Sequence, residues 1–503
     1  MRDWLKRDPT VIVSGRGAVL RDVRGREYLD GNSSIWTNLH GHNHPKLNAA
    51  IARQLKKIAH SSALGLANEP ASLLAERLVT VANRPLSALK RGKGGKERMG
   101  KSPFPLFRFS PPPFHHGRLL QKVFFSDDGS TAIEVALKLA YEFTRRTGQG
   151  NKPKFLSLDG AYHGDTVGAV SLGHIDLFRE SCRGLHFESD KVMAPYCYRC
   201  PFNRAKPERA DAREYRKCNW ECVGKVEQKF VAQKKRGKPY AAFVVEPLIQ
   251  GAAGMIPQPS GWLRQVTELV RGNGALLIAD EVMTGFGRTG TAMEKTRKGE
   301  RELLPTAPLS LRSPATLFAC HHEGVQPDFL CLAKGMTGGY LPMAATLTTQ
   351  AVFDSFLGEY GDFKTFFHGH SYTANQLGAA SALASLGILQ SPASIRERAN
   401  LEATLRDELK PLWSLSNVGD IRHVGLIIGV ELVRGWRTRE PFDLRERAGI
   451  RVCEAMAKRG VLTRPIGNVV VLMPPYSTTQ AQARKMVRTI AESVSEVFGK
   501  QHL

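Results

Sequence analysis

The stretch ALLIADEVMTGFGRTG, residues 275–290, decides the fold. Its first five residues carry no charge, as a strand buried on both faces of a parallel sheet requires. The run ends on an acidic pair, Asp280 and Glu281. Gly285, Gly287 and Gly290 then break any regular element. A carboxylate at the C-terminal end of such a strand faces the crevice where open α/β sheets bind ligands, and there it can keep a heteroaromatic nitrogen protonated. The plainer alternative is a turn that Asp280 merely caps.

The same grammar recurs on either side. VFF (123–125), KFLSL (154–158), AAFVVEP (241–247) and DFLCLAK (328–334) read as strands, and STAIEVALKLAYEFTRR (130–146) and SGWLRQVTELVRGNG (260–274) as helices. Apolar strands alternating with helices predict a largely parallel sheet covered on both faces. Toward the N-terminus, residues 11–30 read as short strands, and helices are expected after Pro45 and over 67–82. Beyond about 391 the pattern becomes α+β: helices over 396–413, 439–460 and 478–500, and strands over 426–433 and 469–475. The expected division is residues 1–50 as the N-terminal part of a small domain, 51–390 as the large domain and 391–503 as the rest of the small one. Two irregular inserts, about 84–121 and 292–316, are expected as loops grafted on the large body, the first exposed and partly disordered.

Composition sets bounds. A chain of 503 residues with 42% hydrophobic residues and 47 glycines is an ordinary globular enzyme, too long for one domain. The net charge of +24 could attract nucleic acid, but ten Lys and Arg against one acid fall between Arg84 and Lys122, so much of the excess is local to an insert and a nucleic-acid role is not expected. No stretch reaches 18 apolar residues, so no membrane helix is expected. Eight cysteines in a long chain without a signal-like start suggest reduced thiols and a cytoplasmic location.

Three further signals stand beside Asp280. Lys334 ends an apolar run and precedes Gly335, Gly338 and Gly339; a desolvated amine there suits a Schiff base, although a snorkelling lysine is equally open. Gly129 and Ser130 sit between a strand and a helix, where free amides suit a phosphate, or where a cap alone is needed. Tyr162, beside His163, follows a strand and could lie on a ring. A lysine, a carboxylate, a phosphate cup and a stacking aromatic together are what pyridoxal 5′-phosphate (PLP) requires.

At this point a resemblance appears. NSSIWTNLHGHNHPKLN (32–48), DDGSTAIEVALKLA (127–140), DGAYHGDTVGAVS (159–171), VVEPLIQGAAGM (244–255), IADEVMTGFGRTG (278–290), CLAKGMTGG (331–339), FHGHSYTANQLGAASALASL (367–386) and RPIGNVVVLMPPY (464–476) resemble the class III, fold-type I aminotransferases over nearly the whole chain except the inserts. The resemblance implies a large domain with a mostly parallel seven-stranded sheet plus a smaller α+β domain. It implies Lys334 as the covalent anchor of PLP, Asp280 at the pyridine nitrogen, Tyr162 on the ring, and Gly129 and Ser130 at the phosphate. It further implies a homodimer in which His370 and Ser371 reach the neighbouring subunit's phosphate. Trp36, Tyr162, Lys334, Gly369 and Arg464 would form the substrate site, Arg464 holding a carboxylate. The likeness is greatest to biotin-pathway members, which implies 8-amino-7-oxononanoate as acceptor and S-adenosylmethionine or lysine as donor. A broad ω-amino acid or diamine transaminase is the alternative.

The chain departs from the family at three places. Ile35 replaces the first of a tryptophan pair, Val471 takes the place of an aromatic hydroxyl, and residues 1–9 lack the family's W-H-P-F-T-like segment. Cys197, Cys200, Cys218 and Cys222 have metal-like spacing within each pair, but resemble a family loop, and no metal is expected.

Overall fold

The computed structural model describes residue 6 and residues 8–83, 119–150, 153–290 and 316–499. The expected inserts lie almost wholly outside the described residues. Strands β1 (Ile12–Arg16), β2 (Val19–Asp22) and β3 (Glu27–Asp30) form an antiparallel meander. There follow β4 (Leu120–Ser126), β5 (Lys154–Leu158), β6 (Asp190–Val192) and β7 (Tyr240–Val245), a small hairpin of β8 (Ile249–Gln250) and β9 (Ile256–Pro257), then β10 (Leu276–Asp280), β11 (Phe329–Leu332) and β12 (Ala344–Thr349). The C-terminal region supplies β13 (Val418–Val424), β14 (Ile427–Leu432), β15 (Val461–Leu462), β16 (Pro465–Ile466) and β17 (Val469–Leu472).

The central sheet has seven strands in the order β4-β12-β11-β10-β7-β5-β6, and only β12 runs against its neighbours. Alternation along the strands sorts its side chains. Ala242, Val244, Ile278, Phe329 and Cys331 pack with Ile133, Ala136 and Leu137 of the helix Gly129–Arg146. Phe243, Val245, Leu277, Ala279, Leu330 and Leu332 pack on the other side with Trp262, Leu263 and Val266 of the helix Trp262–Gly272. Every residue of β7 and β11 is buried, so the uninterrupted apolar runs reflect helices on both faces.

In the C-terminal region β13, β14, β17 and β16 form an antiparallel sheet. The N-terminal meander takes its fourth strand from the same region, as a sheet of its own: Leu29 and Asp30 of β3 pair in parallel with Val461 and Leu462 of β15. The helix expected over 439–460 is shorter, Ala448–Lys458. Upstream of it, Pro441 bridges back to Val433, Asp443 caps a single 3-10 turn, and Arg447 turns left-handed at φ 57°. No helix among the described residues is long and apolar enough to cross a membrane.

Candidate active site

The C-terminal ends of β7, β10 and β11 open on a cavity of about 420 Å³ lined by Trp36, Gly129, Ser130, Tyr162, Asp280 and Lys334 among others. These six expected site residues come from distant parts of the sequence and meet there.

Lys334 follows β11 at a sharp bend, with φ 44°, a strained value for a residue with a side chain. Its Nζ stands 4.7 Å from the centre of the Trp36 ring. Burial pulls the ammonium pKa below the ordinary value, and the opposing charges of Asp280 and Glu246 do not restore it. Trp36 arrives by an unusual route. Ser33, Ser34, Ile35 and Trp36 all have positive φ, 45°, 48°, 65° and 66°, without a glycine among them. Left-handed residues with side chains cost roughly 1–2 kcal/mol each. Asp30 holds this turn: its Oδ1 accepts from Asn32 N at 3.2 Å and Ser34 N at 3.1 Å, and its Oδ2 accepts from Ser34 Oγ at 3.0 Å and contacts His42 Nε2 at 2.9 Å. Ser33 Oγ donates to Met473 O at 2.7 Å, tying the turn to the C-terminal region.

Asp280 and Glu281 meet opposite fates because strand parity sends them to opposite faces. Glu281 is buried beneath the 3-10 turn Ala319–Glu323, accepting from Ala319 N at 2.6 Å and Cys320 N at 2.8 Å; burial raises its pKa to about 7. Asp280 turns to the cavity. Its Oδ2 lies 2.7 Å from His163 Nδ1 and its Oδ1 accepts from Val282 N at 3.1 Å. Burial alone would lower the His163 pKa, but the hydrogen bond and charge of Asp280 outweigh it and hold the pKa above the ordinary value. Glu246, one residue past β7, is buried against the same pair. Its Oε2 accepts from Gly251 N at 2.8 Å, and burial raises its pKa to about 7 despite the His163 charge and the backbone amides of Gly251 and Tyr162.

The opposite wall is the start of the helix Gly129–Arg146. Asp128 caps it, accepting from Thr131 N at 2.9 Å, which leaves the earlier amides directed at the cavity. Gly129 is required by space: a Cβ there would stand 2.6 Å from Val282 Cγ1. Ser130 Oγ accepts from Asp165 N at 3.2 Å, and Glu134 Oε1 accepts from Gly168 N at 2.7 Å. These bonds fix the loop that carries Tyr162 and His163. The Tyr162 phenol is held neutral, its pKa raised by burial and by the hydrogen bond to Asp165.

The other expected residues do not line this cavity within one chain. Gly369 and Ser371 are exposed, and His370 Nε2 stands 3.4 Å from Asp127 Oδ2 without hydrogen-bond alignment. Arg464 is exposed between β15 and β16. Ile35 points outward at 45% exposure, and Val471 is buried with Met283 and Met473 behind Trp36. Glu246 was not singled out from the sequence, although VVEP carries the same signal as IAD, an acid closing an apolar strand.

Helix amides with room for an anion, a desolvated amine and a histidine-backed carboxylate fit the three polar parts of PLP: phosphate, carbonyl and ring nitrogen. Comparison with known proteins agrees. The family Aminotransferase class-III matches residues 4–91, 114–298 and 314–494. The chain is 42% identical over 499 residues to the adenosylmethionine-8-amino-7-oxononanoate aminotransferase of Geobacter sulfurreducens, covering 99% of this chain and 95% of that one. It is 36% identical to the protein of the same name from Methanocaldococcus jannaschii, covering 99% and 95%. A crystal structure of the M. jannaschii protein superposes with a TM-score of 0.80 at 34% identity, covering 98% and 95%. A PLP-bound amine transaminase from an uncultivated Pseudomonas superposes at 0.79 with 30% identity, covering 98% and 96%. With the lysine, the carboxylate and the phosphate-sized helix terminus gathered at one sheet edge, the chain belongs to the class-III aminotransferases, enzymes that work with PLP.

Proposed function

We propose that the chain transfers an amino group from S-adenosylmethionine to 8-amino-7-oxononanoate, giving 7,8-diaminononanoate in two half-reactions, donor first and acceptor second. The relatives bearing that activity in their names span this chain end to end, and the single observation that carries the chemistry is the Lys334–Asp280–His163 arrangement facing one cavity.

Bound in this cavity, PLP supplies an electrophilic carbon and a ring that draws electrons. Burial of Lys334 favours its neutral amine, which would serve as nucleophile toward the cofactor's carbon and would then carry the proton to and from the carbon bearing the substrate's nitrogen. Asp280, steadied by His163, holds the proton at the pyridine nitrogen. Of the residues lining the cavity, Gly129 and Ser130 would hold the phosphate with their amides, Tyr162 would cover the ring, and Trp36 would wall the substrate side. Arg464, exposed between β15 and β16, is the group that the family resemblance puts on the oxononanoate carboxylate.

We assign Gly369, His370 and Ser371 to the site of a second copy in a homodimer. Phe363, Phe367 and Tyr372, around these residues, are 67%, 74% and 60% exposed, and such apolar exposure marks an interface. Residues 1–50 and 391–503 are proposed as the small domain and 51–390 as the PLP-binding one, in keeping with the pairing of β3 with β15. The chain's thiols suit the cytoplasm.

The test is an assay of the PLP-loaded protein with the oxononanoate and each donor separately, with product identified by mass. The diamine is expected with S-adenosylmethionine. Product with lysine alone reassigns the donor. No diamine with either donor, together with turnover of simple ω-amines, makes the chain a broad amine transaminase.

A further inference from the structure

Something must hold the bend at Lys334. Its φ of 44° is strained, and a strained residue keeps its place only where its surroundings over-determine it. The lysine opens the 3-10 turn Lys334–Thr337. The turn itself supplies two bonds, Met336 N to Ala333 O at 2.9 Å and Gly338 N to Gly335 O at 2.9 Å. The rest of the grip comes from outside.

One support is the helix Gln376–Leu389, whose sequence, QLGAASALASLGIL, is apolar but for Gln376 and two serines. Ser381 and Ser385 stand four residues apart, so they share a face, and both are fully buried. Ser381 Oγ donates to Thr337 O at 2.9 Å, and Ser385 Oγ donates to Gly335 O at 3.4 Å. A second support is the segment that follows Trp36. A Cβ at Gly335 would stand 2.8 Å from Leu39 Cδ1, and a Cβ at Gly338 would stand 2.9 Å from His40 Cδ2, so only glycines allow this approach.

His40 joins the two supports, its Nε2 lying 2.9 Å from Ser385 Oγ. Burial, with the charges of His44, Arg398 and Arg288 adding to it, pushes the imidazole pKa down to about 3, so the ring is neutral and carries one proton. Ser385 tells which nitrogen bears it. The serine has a single proton and directs it to Gly335 O, so the bond to His40 is made with the histidine's proton, and Nε2–H donates to Ser385 Oγ. A buried neutral histidine is often no more than a polar residue satisfied by the nearest hydroxyl. This one differs in where its bond leads, to the carbonyl of the residue next to Lys334.

We propose that His40 is a positioning residue for amino transfer: as the Nε2–H tautomer it orients Ser385, and Ser385 fixes the carbonyl of Gly335 and with it the aim of Lys334 into the cavity. The proposal rests on Lys334 being the lysine that carries PLP. His40 lines no part of that cavity and touches no reacting atom. Its weight comes from the narrow tolerance of the lysine's task, for which a misplacement of about 1 Å costs on the order of a hundredfold.

The experiment uses the full chain loaded with PLP. Nitrogen-15 labelling of histidine, with the His40 signal assigned by its loss in His40→Gln, should show the Nε2–H tautomer, unchanged from mildly acidic to mildly alkaline pH. Ser385→Ala removes one oxygen only. It should lower kcat about tenfold, leave KM within about twofold, and slow the joining of PLP to Lys334, followed by visible absorbance and borohydride trapping, by a similar factor. His40→Asn, whose amide falls short of Ser385, should do the same, and the two changes together should be no worse than either alone. His40→Gln, whose Nε2 can stand where the imidazole's does, should recover most of the loss. Should a His40 variant fail to fold, the wild-type tautomer and Ser385→Ala decide. An Nδ1–H tautomer at His40, a Ser385→Ala enzyme with the parent's kcat, or a His40→Gln enzyme no better than His40→Asn would each overturn the proposal and leave the role of Lys334 standing. PLP trapped on another lysine in the parent would overturn both.

Discussion

Lys334 and Glu246 show how burial tunes a group in opposite senses on either side of Asp280. Lys334→Ala should abolish turnover and leave PLP unlinked on denaturing mass spectrometry, with an unfolding midpoint close to the parent's. Loss of the fold instead would mean the lysine's strained φ of 44° is a structural need rather than a chemical one. Glu246 makes a prediction about pH. Its pKa is raised from 4.5 to about 7, so the folded chain holds a proton there that an unfolded one gives up. Its contribution is fully present below 4.5 and is lost as pH rises through about 7. The loss amounts to at most about 3 kcal/mol at 1.36 kcal/mol per unit. Glu281, with the same raised value, adds a second loss of the same sign. Denaturant titrations of PLP-free protein at acidic and neutral pH should show stability falling across this window, and Glu246→Gln should remove roughly half of the fall. A Gln variant with an unchanged slope would place the titration elsewhere.

Elements bring these residues within reach, and here sequence and structure part company in instructive ways. The apolar strands ending in Asp280 and Lys334, and the helix beginning at Gly129, are legible because burial on both faces writes an unbroken apolar run and a glycine marks a close approach. Strand β12 went unread: five of the six residues of Ala344–Thr349 are threonine or alanine, a composition that gives no period, and only its neighbours make it a strand. The turn at Ser33–Trp36 was invisible too. Nothing in Ser-Ser-Ile-Trp announces four left-handed residues; the cause is the Asp30 carboxylate, which takes up the amides that the turn leaves free. Asp30→Ala should therefore destabilise the protein by on the order of 3 kcal/mol, for lost hydrogen bonds to a charged group, and raise KM more than it lowers kcat by freeing Trp36. An unchanged KM would show that the turn does not position the substrate wall. The helix start gives a paired test. Gly129→Ala should weaken PLP retention, measured as the rate of cofactor loss on dilution, and Val282→Ala added to it should restore retention by making room for the methyl group. A double variant no better than the single one would show that the fault lies in the backbone and not in that contact.

On the scale of the whole molecule, the residues that miss the cavity are as informative as those that line it. His370 and Ser371 stand beside exposed aromatics, and the role proposed for them requires a second copy. Phe367→Asp should shift the protein from dimer to monomer in light scattering and lower activity in proportion; a monomer retaining full activity would remove these residues from the site. Sequence reading could name them only through resemblance, since no period or spacing tells a residue that it serves a neighbour. The four cysteines Cys197, Cys200, Cys218 and Cys222 are a further case: their pairs are legible, but they line one small cavity only because Asn203 bonds both to Cys197 O and to Lys217 N. The pairing of Leu29 with Val461 has a consequence in time. Those residues lie about 430 positions apart, and a ribosome adding about 5–20 residues per second needs roughly twenty seconds to a minute and a half to travel between them. Throughout that interval the emerging meander has no edge partner, and the turn that presents Trp36 has no Met473 to hold it. The turn that presents Trp36 is thus made about 430 residues before the strand that completes its surroundings, and the nascent chain should depend on holdase chaperones for that long wait.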